Sequence, residues 1–240
     1  TQIDYLQVHE GLDDGIEIFG GAPNLKHIVL SNIEDDSLDW DQGFHGNIQF
    51  MLIVQKGSDA DNGIEADNDG DNHDAMPRSN PTLANVTMIG SEAGSHGMVL
   101  RRGTYANIKN TLVTGFPRFG LDIRGDAGAA AILSGEMSIT NSLFFNNGND
   151  GPTDDLAGSE EGEDDDDNAL NEAVFFAEAA QGNQVGVDPL LTDFIPDSES
   201  PVSETNLMSL TDFFVATDYI GAFEPNGADW TEGWTSFETK

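Results

Sequence analysis

DDGIEIFGG (residues 13–21) decides the fold, because the chain goes on to rewrite it. DDSLDWDQG (35–43), DNGIEADND (61–69), SHGMVLRRG (95–103) and RFGLDIRGD (118–126) superimpose on it without gaps. The anchor column is Gly15, Ser37, Gly63, Gly97, Gly120. The next column is always apolar: Ile16, Leu38, Ile64, Met98, Leu121. Two places further on stand Ile18, Trp40, Ala66, Leu100 and Ile123, with Glu17, Asp39, Glu65, Val99 and Asp122 between. Side chains of a strand alternate between its faces, so this is an in-out-in strand written five times.

A second strand precedes each anchor: IDYLQV (3–8), LKHIVL (25–30), IQFMLIV (48–54), VTMIG (86–90) and IKNTLV (108–113), with a sixth copy from Ile139. Asn24, Asn47, Asn85 and Asn107 stand directly before four of them. Asparagine tolerates the left-handed backbone of a sharp turn, so these four are read as strand openers. The anchors are spaced 22, 26, 34 and 23 residues apart. Two or three short strands per repeat of this length predict a parallel β-solenoid, in which stacked coils bury the columns that a single coil leaves exposed. An antiparallel sandwich also has many short strands, but gives no reason for columns of like residues.

These x-G-Φ-x-Φ anchors and N-Φ-x-x-Φ strands, over residues 1–147, resemble the right-handed parallel β-helix of the pectate-lyase-like superfamily. The closing stretches VGVDPLLTDFIPDSESPV (185–202) and FFVATDYIGAFEPNGADWTEGWTSF (213–237) are similar to the ends of secreted or surface-anchored bacterial β-helix proteins. The expected class is therefore all-β: a right-handed parallel β-helix with an irregular, partly helical C-terminal cap. That fold alone fixes no activity, since it carries lyases, hydrolases, adhesins and tailspikes.

Three segments follow: coils over 1–147, an acidic low-complexity loop over 148–168, and a cap over 169–240. In ALNEAVFFAEAAQG (169–182) a short helix is expected, with Asn168 as N-cap and Gly182 as stop. Trp230, Trp234, Phe223 and Phe237 read as capping area, or alternatively as an aromatic sugar platform.

Of the 240 residues, 44 are Asp or Glu and 9 are Lys or Arg, for a formal net charge of -35. That excess argues against nucleic acid and anionic membrane surfaces as partners. It suits high salt or the holding of cations. No cysteine is present, and no apolar run reaches the ~20 residues of a membrane span. The opening Thr1–Tyr5, already in strand alternation, fits a mature or trimmed chain. The expected location is extracellular or on a bacterial cell surface.

Stacked in register, Glu17, Asp39 and Glu65 would lie on strands ~4.8 Å apart. Like charges that close repel, and a hard cation relieves them; calcium takes six to eight oxygens in flexible geometry. A hydrated acidic face is the bland alternative. The insertion DADNGIEADNDGDNHD supplies Asp59, Asp61, Asp67, Asp69, Asp71 and Asp74 at alternating spacing, a second candidate for calcium, although it lacks the ligand pattern of an EF-hand. Calcium is the expected cofactor.

Arg101 and Arg124 share the column two beyond the ladder, with Arg102, Arg118 and His96 nearby. Cross-coil ion pairs are one reading of them. The resemblance implies another, a polysaccharide groove. There Arg101, Arg124 and Glu65 are the catalytic candidates, and Glu17, Asp39, Asp122, Arg102 and His96 the substrate-binding ones. Lys56 and His96 join the two arginines as candidate proton acceptors. A hydrolase would need two or three of the carboxylates to flank the scissile bond. The functional expectation is a calcium-binding protein contacting polysaccharide, with cleavage left open against a non-catalytic adhesion or assembly rod.

Overall fold

The computed structural model describes residues 1–56, 59–148, 170–202 and 212–238. Each of the first five coils is one long strand and one short one. The long strands are β1 (Gln2–His9), β3 (Asn24–Ser31), β5 (Asn47–Val54), β7 (Thr82–Ile89) and β9 (Asn107–Thr114). The short ones are β2 (Ile16–Phe19), β4 (Leu38–Asp41), β6 (Ile64–Ala66), β8 (Met98–Leu100) and β10 (Asp122–Ile123). In the sixth coil the long strand is divided into β11 (Ser138–Thr140) and β12 (Leu143–Phe145). All of these pair in parallel, long with long and short with short.

Every inward column runs the length of the stack. Ile3, Leu25, Ile48, Leu83, Ile108 and Ile139 pair in one register. Ile18, Trp40, Ala66, Leu100 and Ile123 pair in another. From the second coil onward these side chains are almost wholly buried in one continuous core. Close approach explains the anchor glycines: a Cβ on Gly63 would lie 2.6 Å from the Gly97 carbonyl oxygen of the next coil.

The long strands each bend at their fourth residue, where the backbone turns left-handed: Tyr5 (φ 55°), His27 (51°), Phe50 (58°), Asn85 (55°) and Asn110 (50°). Asn141 (φ 50°) makes the same bend between β11 and β12. Asn24, Asn47 and Asn107 do open strands, but Asn85 lies inside β7, which Thr82 opens. The asparagine tolerance for left-handed backbone was the right physics applied at the wrong corner.

The far end of the core is closed by helix. In α1 (Asp126–Ser134), a helix the sequence reading did not anticipate, Ala129, Ala131 and Ile132 join the core. The second helix is shorter than expected. It comprises only α2 (Glu172–Phe175), capped by Asn171, whose Oδ1 accepts the Val174 N–H at 2.9 Å, then a 3-10 turn (Ala179–Gln181) stopped at left-handed Gly182. Asn168, the expected cap, and the acidic run from residue 149 to 169 lie outside the described residues. The Glu172 carboxylate accepts the Ile123 N–H at 2.9 Å at the edge of the short-strand sheet, and Leu170 and Phe176 seal the core beside it. Strand β13 (Gln184–Val185) extends the long-strand sheet, and β14 (Leu191–Thr192) pairs antiparallel with β15 (Ile195–Pro196).

The remaining tail is a strap along the flank. Val215 exchanges hydrogen bonds with the Gln49 side chain, Thr217 donates to Asn85, and Gly221 N–H reaches the Asn110 carbonyl, so the chain first climbs toward the later coils. It then returns: Ala222 and Phe223 cover Val29, Leu52 and Val54, and Ser236 bonds the Gln7 side chain of the first coil. This cover explains IVL (28–30) and MLIV (51–54), whose apolar residues do not alternate because both faces are buried.

Candidate functional site

The short-strand sheet carries the acidic ladder. Glu17, Asp39, Glu65, Val99 and Asp122 pair in strict register on β2, β4, β6, β8 and β10. One column earlier, side-chain oxygens bridge successive coils. Asp14 accepts the Asp36 N–H at 3.1 Å, Asp36 accepts the Asn62 N–H at 3.0 Å, and Asn62 accepts the His96 N–H at 3.2 Å. The acid in that slot therefore has a structural job, which asparagine does equally well in the third copy.

On coils 1–3 the two columns merge into one carboxylate field. Oxygens of Asp14, Glu17 and Asp39 lie within 4.8 Å of one another, as do those of Asp36, Asp39 and Glu65, of Asp35, Asp36 and Asp61, and of Asp13, Asp14 and Asp35. Burial first, then mutual repulsion, pushes the acids up: Asp14 to about 6, Asp39 to about 7 and Asp36 to about 8. Burial is also the main cause of the rise at Glu17 and Glu65. Hard oxygen donors, crowded and, Glu65 with its Arg101 partner apart, without an ion pair among the described residues, fit calcium by their chemistry. The residues that would hold it are Asp14, Glu17, Asp36, Asp39 and Glu65.

The fourth coil changes sign. Val99 fills the ladder slot, and Arg101 reaches back beside it to Glu65 and to Asp67, the latter through Nε at 2.9 Å. Arg102 pairs with Asp67 at 2.6 Å, and Arg124 with Asp122 at 2.8 Å. Between them opens a cleft of about 260 Å³ lined by Asp61, Glu65, His96, Arg101, Arg118 and Arg124, among others. His96 is buried, with Nδ1 3.1 Å from Asn62 Oδ1 and Nε2 3.5 Å from Asp122 Oδ2. Burial, then the Arg124 and Arg118 guanidiniums, push its pKa down to about 3, so the ring is neutral at physiological pH. Arg118 is exposed at the cleft and makes no ion pair among the described residues.

The structure thus gathers Glu17, Asp39, Glu65 and Asp122 on one sheet, with His96, Arg101, Arg102 and Arg124 at the ends of its strands. It does not gather the candidate calcium loop. Asp67 is spent on Arg101 and Arg102. Asp69 Oδ1 accepts the N–H groups of Asp71 and Asn72 in a local turn. Asp74 pairs with Arg78 at 2.6 Å, and Asp59 and Asp71 are exposed. Only Asp61 of that set joins a carboxylate group among the described residues. Exposed Lys56 is not among the residues lining the cleft. Asp13 and Asp35 join the carboxylate groups beyond the expected set, and their signal is the Asp-Asp pair written before the first two anchors.

A family model described as a pectate-lyase like beta helix domain matches residues 1–235. No curated protein and no solved structure matches the chain. Among the described residues no helix is long and apolar enough to cross a membrane.

Proposed function

The chain belongs to the pectate-lyase-like β-helix family, and on that premise we propose that it is a secreted or cell-surface protein that holds calcium on the carboxylate field of coils 1–3 and contacts polysaccharide along the same sheet. The observation that carries this reading is adjacency: groups of three carboxylates within 4.8 Å stand next to a cleft edged by Arg101, Arg118 and Arg124. A net charge of -35 repels anionic polymers at long range. Bound calcium and the exposed Arg118 would reverse that field locally. The family and the strongly acidic composition support a place outside the cell.

Calorimetric titration of calcium at pH 8 tests the first half. Heat of binding is expected for the native chain and its loss for Asp39→Asn combined with Glu65→Gln. No heat, together with the same melting curve in chelator and in millimolar calcium, overturns it. A panel of acidic and neutral polysaccharides with calcium present, read by binding and by new reducing or unsaturated ends, tests the second.

A second reading, a non-catalytic rod stabilised by calcium, draws on the ion pairs. Arg101 and Arg124, the catalytic candidates, are both engaged by carboxylates, Arg101 as a strut between coils and Arg124 within its own coil. Binding without turnover across the panel selects this reading.

A further inference from the structure

Where the β14–β15 hairpin meets the strap, a second cavity opens, of about 370 Å³. The Asn226 N–H donates to the Pro196 carbonyl at 2.7 Å and so ties the hairpin to the strap's turn at 224–229. One wall is apolar. Phe194 and Ile195 line it, and Phe194 packs on Phe223 and Phe237 at ring distances of 5.1 and 5.5 Å. The rest is rich in acceptors: Asp193, Asp197, Asp229 and Asn226 line it, and no lysine, arginine or histidine does. Asp229 Oδ1 accepts the Thr231 N–H at 2.8 Å and the Thr231 hydroxyl at 2.6 Å, and Asp197 Oδ1 accepts the Glu199 N–H at 2.8 Å. Both carboxylates are thereby held in place, each with a second oxygen to offer. None of the three acids has an ion-pair partner among the described residues. The cavity shares no lining residue with the cleft of the short-strand sheet.

We infer that this cavity is a glycan site separate from the short-strand sheet, and that its ligand is an amino sugar. Its volume falls in the ~300–1,000 Å³ range of small-molecule pockets. Three carboxylates with no cation beside them repel an anion. A single metal ion does not fit, because Asp193, Asp197 and Asp229 form no group within 4.8 Å of one another. An ionised carboxylate only accepts hydrogen bonds, so the ligand must donate several, from points set apart. The wall of Phe194 and Ile195 asks for an apolar face beside those donors. A pyranose with a protonated amine has all three: an ammonium, neighbouring hydroxyls and a face of C–H groups. A lysine side chain ends in one point of donors on a thin stem, and leaves the other acceptors unserved.

Calorimetric titration of the intact chain with a β-1,4-linked glucosamine trimer, at pH 6 in chelator and physiological salt, tests the site. Saturable binding is expected. Asp193→Asn with Asp197→Asn should weaken it about tenfold, the worth of one charge-assisted contact. Both positions are exposed, and asparagine keeps the oxygen that accepts the Glu199 N–H, so the fold is expected to stand. Asp71→Asn with Glu92→Gln removes the same charge from two exposed positions elsewhere, and should leave the affinity unchanged. The uncharged N-acetylated trimer should bind about tenfold more weakly than the amine. No saturable binding, an equal effect of the two double variants, or trilysine binding as tightly as the sugar overturns the inference. Chelator keeps the result apart from calcium: failure here leaves the reading of the short-strand sheet standing, and failure there leaves this one.

Discussion

The Asp36 carboxylate lies one coil before the Asn62 backbone nitrogen and accepts its N–H at 3.0 Å, in a site where Asp36 is only 5% exposed. Its charge and its acceptor role pull in opposite directions. The oxygen is needed by the buried N–H, while the negative charge is opposed by burial and by Glu65. The two separate by substitution. Asp36→Asn keeps the acceptor and removes the charge, so in chelator it should melt at or above the wild-type temperature. Asp36→Ala leaves the amide unpaired and should cost about 1–3 kcal/mol. Thermal melts of both variants in chelator and in calcium check this; calcium should raise wild type more than Asp36→Asn.

The same field sets a pH dependence. Asp14, Asp39 and Asp36 titrate in the folded chain near 6, 7 and 8, above the usual range of an aspartate in an unfolded chain. The folded state therefore binds more protons, and the stability they contribute is complete at low pH and is lost as pH rises through those values. In chelator the melting temperature should fall between pH 5 and pH 8.5. Saturating calcium should flatten that fall, because the cation takes the place of the protons. Melting that rises with pH in chelator would contradict the crowding.

Gly97 gives a packing test. A Cβ there would meet the Val113 side chain and lie 2.5 Å from the Gly120 carbonyl oxygen, which belongs to the backbone of the next coil and has no rotamer to give way. Gly97→Ala should destabilise by about 1–3 kcal/mol. Gly135→Ala is the contrast. It has open space and loses only its left-handed backbone, so its smaller cost would come from strain alone. Chemical denaturation of the two variants separates crowding from strain.

What the sequence made legible was whatever repeats. Sliding Gly15 along the chain placed Ile16 beside Leu38, Ile64 and Met98, and Glu17 beside Asp39 and Glu65, which is the observed register. The bend residues did not show, because Tyr5, His27 and Phe50 share a backbone angle and no chemistry with Asn85 and Asn110. Helix α1 did leave a signal, its alanine run, which Gly128 interrupts and which is only nine residues long. The strap did leave a trace in the unalternating MLIV stretch, which signals a second covered face without saying what covers it. At the candidate site the columns of carboxylate and arginine were readable. The reach of Arg101 back across a coil to Asp67 depends on side-chain direction, which spacing does not give.

Arg101 and Arg118 line one cleft but should answer differently to removal. Arg101 is tied to Glu65 and Asp67, and Asp67 is 5% exposed, so Arg101→Ala leaves two carboxylates undercompensated inside an acidic sheet. A cost of about 1–3 kcal/mol is expected, below that of a fully buried pair because Arg101 keeps some solvent contact. Asp67→Asn in the same chain should recover part of the loss, which a double-mutant cycle measures. Arg118 is exposed and makes no ion pair among the described residues, so Arg118→Ala should leave the melting temperature within a degree or two of wild type. Its effect is expected in binding: weaker retention of acidic polysaccharide in calcium, with neutral polysaccharide unchanged. Equal loss for both polymers would show that Arg118 meets the sugar backbone and not its charge.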